Sequence, residues 1–253
     1  MLFRSGGRGI NSGYLDVMNL AWKLDFVLRG NADTNLLGSY SDERRTSILQ
    51  TIEELTGVTI YMTTPSPAVA LMRDATLSLS LTEPFVRALF DPFRVPLYAS
   101  LRVAATASAK ASELDFDGGP ALGQVVPDIP ISAPSGSGAA RLLDLCGDKF
   151  QCLVWGGTPG ADEMLDRLCR ELEQRRLPVR CVAINAGRVP ANALAVTSAA
   201  AADVFDARPG TVYLLRPDHH VGGRWKNVDA SEIIGSLTHV LGREQHSQRS
   251  KVH

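Results

Sequence analysis

The sequence predicts an α/β fold in two parts, a mainly helical first portion followed by a smaller alternating β/α domain. Three observations carry that expectation. Up to about residue 110 the apolar positions recur at helical spacing and hardly a run has strand character. The stretch Asp115–Pro134, DFDGGPALGQVVPDIPISAP, then carries glycine and proline at turn-forming density. Beyond it, short runs rich in β-branched and aromatic residues alternate with amphipathic segments.

In the first portion, a helix is expected from about Ser12 or Gly13, with Gly30 as its C-cap. Val17, Leu20, Ala21, Leu24, Val27 and Leu28 make one apolar stripe on it, and Asp16, Asn19 and Lys23 fall on another face. A second helix is expected from Thr34–Leu37 through YSDERRTSILQTIEEL to Gly57. Pro65 and Pro67 break the chain before a third helix over Ala68–Leu81. A fourth segment follows Pro84 and is interrupted at Pro92 and Pro96.

In the second portion, the expected order is strand Gln151–Trp155, helix Ala161–Arg175 and strand Val179–Ile184. A short strand at Val204–Phe205, strand Val212–Arg216, an edge strand Gly222–Trp225 and a closing helix Ser231–Leu241 follow. A β-α-β half followed by a β-β-α half is the thioredoxin-like arrangement. The domains are therefore drawn as residues 1–117 and 118–245, with a polar tail at 246–253.

Composition narrows the function. The chain has 253 residues, 45% hydrophobic and 21% charged, which suits a globular protein with a sizeable core. A net charge of −1 gives no electrostatic reason to expect nucleic acid as partner. No apolar run approaches the ~18 residues of a membrane span, and the start MLFRSGGRG has no secretory apolar core. A cytoplasmic protein without a membrane partner is expected. Cys146, Cys152, Cys169 and Cys181 form no C-x-x-C or metal-ligand spacing. They are expected to be buried free thiols, with no metal bound. His219 and His220 are expected in a solvent-exposed turn without a metal role.

The opening stretch Gly6–Leu24, GGRGINSGYLDVMNLAWKL, carries most of the chemistry. Glycines remove side chains so that backbone N–H groups can face a bound group, and the helix that follows directs its positive end to the same place. Such a turn suits an anionic or electron-rich ligand, and the same spacing also serves as a plain connector between elements.

The residues themselves resemble a known family. G-G-x-G-x-N-x-G-x-x-D-x-x-N-L-A-W-K-L, then Leu28-Arg29-Gly30, Leu36-Leu37, Tyr40 and Glu43-Arg44-Arg45, resemble the last flavin-contacting segment of the group A FAD-dependent aromatic-ring monooxygenases. Val212–Asp218, VYLLRPD, with Trp225 following, resembles a stretch of their C-terminal domain. The order and separation of the two point to the phenol hydroxylase and 3-(3-hydroxyphenyl)propionate hydroxylase branch. The middle, Thr63–Gly118, matches only in helical character.

The resemblance implies FAD as cofactor, with NAD(P)H, O2 and an aromatic small molecule as the other reactants, and a homodimer. It places the backbone at Gly7, Gly9, Ile10 and Asn11 against the pyrimidine edge of the flavin. Asp16 and Asn19 then brace the turn, Trp22 is core, and Glu43, Arg44 and Arg45 are a structural ion-pair cluster of the kind that is usually solvated. No catalytic side chain is assigned.

The family also uses a G-x-G-x-x-G for the ADP moiety, a central D-G segment and a G-D segment, all ahead of the turn. None precedes it here. The expectation is a C-terminal portion of such an enzyme that does not hold FAD stably and is inactive by itself. Where a thioredoxin site would carry C-x-x-C, the chain has Trp155-Gly156-Gly157-Thr158-Pro159, so the second domain is expected to be redox-inert. The competing reading is a non-catalytic thioredoxin-like dimerisation or binding module with a helical extension. A thiol oxidoreductase is disfavoured by the missing C-x-x-C.

Overall fold

The computed structural model describes residues 9–90, 101–133 and 140–243. The expected polar tail and the interruptions at Pro92 and Pro96 lie outside them. The chain divides into two compact units, one from the described residues of Met1–Asp16 and Arg44–Ala99, the other from those of Val17–Glu43 and Ser100–His253. The division falls within α1 (Gly9–Leu28) and within α2 (Asn35–Thr63).

The smaller unit holds the start of α1, most of α2, α3 (Pro67–Leu79) and α4 (Pro84–Phe90). Pro67 opens α3 at a position where a missing N–H costs nothing. α3 has no buried residue, and Leu71, Met72, Leu81 and Phe85 are all exposed.

The larger unit is built on a five-stranded sheet in the order β3-β2-β1-β4-β5. The strands are β1 (Phe150–Trp155), β2 (Val179–Ile184), β3 (Ala193–Val196), β4 (Val212–Leu215) and β5 (Val221–Trp225). β1 runs parallel to β2 and β2 parallel to β3, whereas β4 is antiparallel to both β1 and β5. β1 is buried at every position, because both faces of the sheet are covered. Its alternating side chains divide between two cores. Phe150, Cys152 and Val154 meet α6 (Pro159–Gln174), α8 (Ala230–Val240) and residues of α1 and α2. Leu153 and Trp155 meet Val126, Ile129, Leu142 and Phe205.

Local chemistry sets the helix ends. α6 begins with Pro159 at its first turn after Gly157, which has φ +99 and donates its N–H to Asp162 Oδ1 at 3.1 Å. α8 is capped by Asp229, whose Oδ1 accepts from the Ser231 N–H at 3.0 Å. A five-residue α5 (Ala107–Ala111) and a 3-10 turn at Ser112–Asp115 lead into the irregular segment before the sheet. That segment is pinned by isolated bridges, Val125 to His220 and Ser132 to Thr197, and by Arg224, which grips Glu113 through two bonds of 2.7 and 3.0 Å.

Three sequence expectations are corrected. Val204–Phe205 is not a strand. It ends the short helix α7 (Ala201–Val204), and Phe205 turns into the core against Tyr213. The strand beyond β2 is Ala193–Val196, held by parallel pairing to β2. The apolar stripe of α1 is not its buried face: Val17, Leu24 and Leu28 are 63%, 40% and 84% exposed, whereas Asn19, Trp22, Lys23 and Phe26 are buried.

Candidate functional site

The opening segment is already helical at Gly9, the first described residue, ahead of the Ser12 or Gly13 the periodicity predicts. The acceptors that helix geometry would give the N–H groups of Gly9, Ile10, Asn11 and Ser12 fall at positions 5–8, outside the described residues. No acidic residue occupies this first turn. Ile10 is 86% exposed and Asn11 is exposed, so the turn is open on the described structure. Gly7 lies outside the described residues. A helix start free of carboxylates suits an electron-rich group through its backbone N–H groups.

Asp16 is engaged elsewhere. Its Oδ1 accepts from Arg44 Nε of α2 at 2.6 Å, with the Arg44 side chain only 6% exposed. It braces α1 against α2 rather than the turn, and the same holds for Asn19, which donates to Glu43 Oε2 at 2.7 Å. The expected solvated cluster at Glu43, Arg44 and Arg45 is not what forms: Glu43 and Arg44 are buried in separate pairings, and only Arg45 faces solvent.

Glu43 lies in a buried charge cluster that the sequence did not announce. Arg216, from the end of β4, donates to both its oxygens, at 2.8 Å from Nη1 and 2.9 Å from Nη2. Lys23 Nζ donates to Glu43 Oε2 at 2.9 Å. Arg216 also reaches Asp218, at 3.0 Å from Nε and 2.6 Å from Nη2. The Trp22 Nε1–H donates to Asp218 Oδ2 at 3.1 Å, and the Arg216 guanidinium lies 5.2 Å from the Trp22 ring centroid. Trp22 is core as expected, packed edge-on to Phe26 and Phe150 at 5.3 and 5.5 Å.

The electrostatics follow from burial and pairing. Burial alone would raise the Glu43 carboxyl, but Arg216 and Lys23 hold it below its ordinary value. Asp218 is likewise opposed by burial and held well down by Arg216 and by His220. Burial pushes Lys23 down to about 8 against the pull of Glu43. His220 is not solvent-exposed as the sequence suggested. It is 6% exposed, with Nδ1 at 2.8 Å from the Asp218 carbonyl oxygen. His219 is half-buried at φ +66 in the turn between β4 and β5.

No single-residue signal in the sequence marks Lys23, Glu43, Arg216 and Asp218 as a buried cluster. A signal existed: Asn19, Trp22, Lys23 and Phe26 recur at i, i+3, i+4, i+7, a mixed polar and aromatic stripe with helical spacing.

The turn from β1 to α6 carries no sulfur. A Cβ on Gly156 would come within 2.6 Å of Asp162 Oδ1, so this turn is closely packed. All four cysteines are free thiols. Cys152 and Cys181 pair across β1 and β2, and with Cys169 of α6 they line the same core. Burial raises the Cys152 thiol and pushes that of Cys146 up to about 12. Among the described residues no three His, Cys, Asp or Glu side chains come together in a way that could hold a metal ion. No helix among them is long and apolar enough to cross a membrane.

Two family models match the chain, the FAD binding domain over residues 2–54 and the HcaD C-terminal domain over residues 123–240. The 3-(3-hydroxy-phenyl)propionate/3-hydroxycinnamic acid hydroxylase 2 of Burkholderia vietnamiensis is 27% identical over 251 residues, covering 94% of this chain and 44% of the relative. A hydroxylase of Comamonas testosteroni with the same name, without the numeral, is 56% identical over 39 residues, 15% of this chain and 7% of the relative. The chain thus spans less than half the length of these curated relatives. Among solved structures, the flavin-dependent monooxygenase PieE in complex with FAD and substrate aligns with a TM-score of 0.59 at 22% identity, over 94% of this chain and 45% of that one. The rebeccamycin biosynthetic enzyme RebC with reduced flavin aligns at 0.62 and 23% identity, over 94% and 42%. These structural likenesses show a shared fold.

Proposed function

Because the chain is related to the group A FAD-dependent aromatic-ring hydroxylases through both its opening and its closing segments, we propose that it supplies the flavin-edge wall and the accessory domain of such an enzyme. The observation that carries this reading is the Glu43–Arg216 pair. The segment matched to the FAD binding domain and the segment matched to the HcaD C-terminal domain are locked together by a buried two-point ion pair. Side chains from two unrelated modules would have no reason to meet in this way.

In this reading the N–H groups of Gly9, Ile10 and Asn11, with Gly7, face the pyrimidine edge of FAD, where negative charge gathers on reduction. Bound FAD supplies electron transfer from NAD(P)H and the activation of O2 that side chains cannot provide. The chain's own part is to present fixed donors to that edge. The residues that would hold adenine, ribose and pyrophosphate are not among these 253. The polypeptide is therefore proposed not to retain FAD stably alone.

Residues 1–117 are proposed as the FAD-binding portion and 118–245 as a thioredoxin-like accessory domain used for dimer contacts. Support for the latter comes from the parallel β1–β2 pair joined through α6, the antiparallel β4–β5 pair and the sulfur-free turn at Gly156–Thr158. That same turn favours the second reading, a non-catalytic binding module, if no flavin partner region exists.

A chimera separates the two. In the Burkholderia vietnamiensis relative, the stretch matched here would be replaced by this sequence. Retention of FAD near one per chain, with NAD(P)H oxidation dependent on a phenolic substrate, is the expected result. A folded chimera that binds no flavin sinks the hydroxylase reading and leaves the binding module.

A further inference from the structure

α3 runs for 13 residues through the smaller unit without burying one of them. Its apolar residues are not scattered. Ala68, Met72, Ala75 and Leu79 recur at steps of four, three and four, the spacing that keeps side chains on one face of a helix, and Leu71 lies beside them. Leu71, Met72 and Leu79 are 72%, 69% and 53% exposed, and Ala68 and Ala75 are exposed between them. Arg73 and Asp74, the only charges on α3, fall on its other side. They pair with each other at 2.8 Å, and Arg73 Nη1 donates to the Met62 carbonyl oxygen of α2 at 2.8 Å. The apolar stripe therefore faces away from α2. The geometry points to this stripe as a self-association face, paired antiparallel with the same stripe of a second copy of the chain.

Size carries the choice of occupant. Along the helix the stripe reads small, large, small, large. A second copy turned about a two-fold axis between Met72 and Ala75 presents it in reverse, so Met72 faces the second copy's Ala75 and Leu79 faces its Ala68. Each large side chain meets the hole left by an alanine, and the small residues let the two helices approach closely.

Area and charge agree with that occupant. With Leu81 and Phe85, which follow in the same unit at 77% and 70% exposure, these residues offer on the order of 700 Å² per chain, close to the ~800 Å² each partner gives to a stable interface. An apolar patch of this extent marks an interaction surface. The stripe carries no charge to meet a nucleic acid or an acidic protein. α3 also lacks the lysines and arginines that hold an interfacial helix on a membrane. This face lies outside residues 118–245 and does not rest on the hydroxylase reading.

The test follows the mass of the purified chain by sedimentation equilibrium over a concentration series. The wild type is expected to be a dimer that dissociates on dilution. Met72→Glu, which puts a carboxylate at the centre of the pair, and Ala75→Met, which sets large against large, are each expected to weaken it at least ten-fold. The double variant Met72→Ala with Ala75→Met exchanges the two sizes and keeps the match, so it is expected to return to within about three-fold of wild type. Both positions are exposed, so the circular dichroism of every variant should be unchanged. Should Met72→Glu fail to fold, the size exchange decides. A wild type that is monomeric at every concentration, a dimer untouched by a folded Met72→Glu, or a double variant no stronger than Ala75→Met would overturn the assignment.

Discussion

Arg216 and Glu43, 173 positions apart, face each other through two parallel hydrogen bonds of 2.8 and 2.9 Å with both side chains 3% exposed. A buried pair of this geometry is costly to break, because the surviving charge loses its partner without regaining water. Glu43→Gln and Arg216→Gln are each expected to lower stability by ~3–5 kcal/mol. The two losses should not add: a coupling of ~1–3 kcal/mol is expected from the double variant in urea denaturation. Additive losses would mean that the pair is an incidental contact.

Asp218 ties the same cluster to Trp22. Its folded pKa is held well below the ordinary 3.8, so it contributes stability that is full above that value and is lost as pH falls through the folded pKa. Asp218→Asn removes this contribution and orphans the Arg216 contacts at Nε and Nη2. The variant is expected to be less stable than wild type at pH 7, with the gap narrowing once the pH drops below about 4. Melting temperatures from pH 7 to 2.5 would check it, and a gap that stays constant with pH would show that Asp218 acts by shape alone.

Lys23 is shifted in the same direction, so its pH slope has the same sign, but for a cation a lowered pKa is a cost rather than a gain. Its folded pKa, about 8, is below the ordinary 10.5, so between those values the unfolded chain holds the proton that the folded one has released. Stability from this group therefore rises with pH across that window and is lowest at neutral pH. Relative to Lys23→Met, the wild type should gain stability between pH 8 and 10. Denaturation midpoints at pH 7 and 10 give the comparison, and a wild type that loses ground to the variant would contradict the depressed pKa.

How far the sequence revealed this structure depends on whether short-range pattern or distant pairing decided each element. β2 was legible at Val179–Ile184 because a run of apolar and β-branched residues fits a strand covered on both faces. β3 was not, since ALAV has little strand character and is fixed by its parallel neighbour. The buried face of α1 was misjudged for a related reason. Lys23 and Asn19 look like a solvated face until Glu43 and Asp218 arrive to accept from their N–H groups. Likewise His220 reads as a loop residue, but the bridge to Val125 and the Asp218 carbonyl fold it inward. Trp22 and the sulfur-free turn needed no distant partner to be read, and both were placed from the chain alone.

The thiols offer a check on whether the sheet unit is redox-inert, as its sulfur-free turn from β1 to α6 suggests. Cys152, Cys169 and Cys181 are buried and Cys146 is half-buried; the Cys146 thiol is pushed up to about 12, whereas Cys181 holds the Cys169 thiol below its ordinary value but at only 2% exposure. Thiolate is the reactive form, so at pH 8 the native chain should react slowly with a disulfide reagent such as dithionitrobenzoate. Four thiols should appear on denaturation. Rapid native release of two, with a new disulfide in the mass spectrum, would show a working dithiol.

The flavin-edge wall can be tested one donor at a time, in the chimera with the complete hydroxylase. Proline is tolerated in the first turn of a helix, where its missing N–H breaks no intrahelical bond. Ile10→Pro therefore subtracts one N–H from the start of α1 while the fold is kept, and the exposed Ile10 side chain gives up little packing. A hydrogen bond to a charged group contributes ~1.5–3 kcal/mol. If this N–H stabilises the reduced flavin, its loss should make the two-electron potential more negative by ~30–60 mV. Asn11→Ala, which leaves the backbone donor in place, should leave the potential near that of the parent. Equal potentials in all three proteins would remove Ile10 from the flavin edge even if the chimera is active.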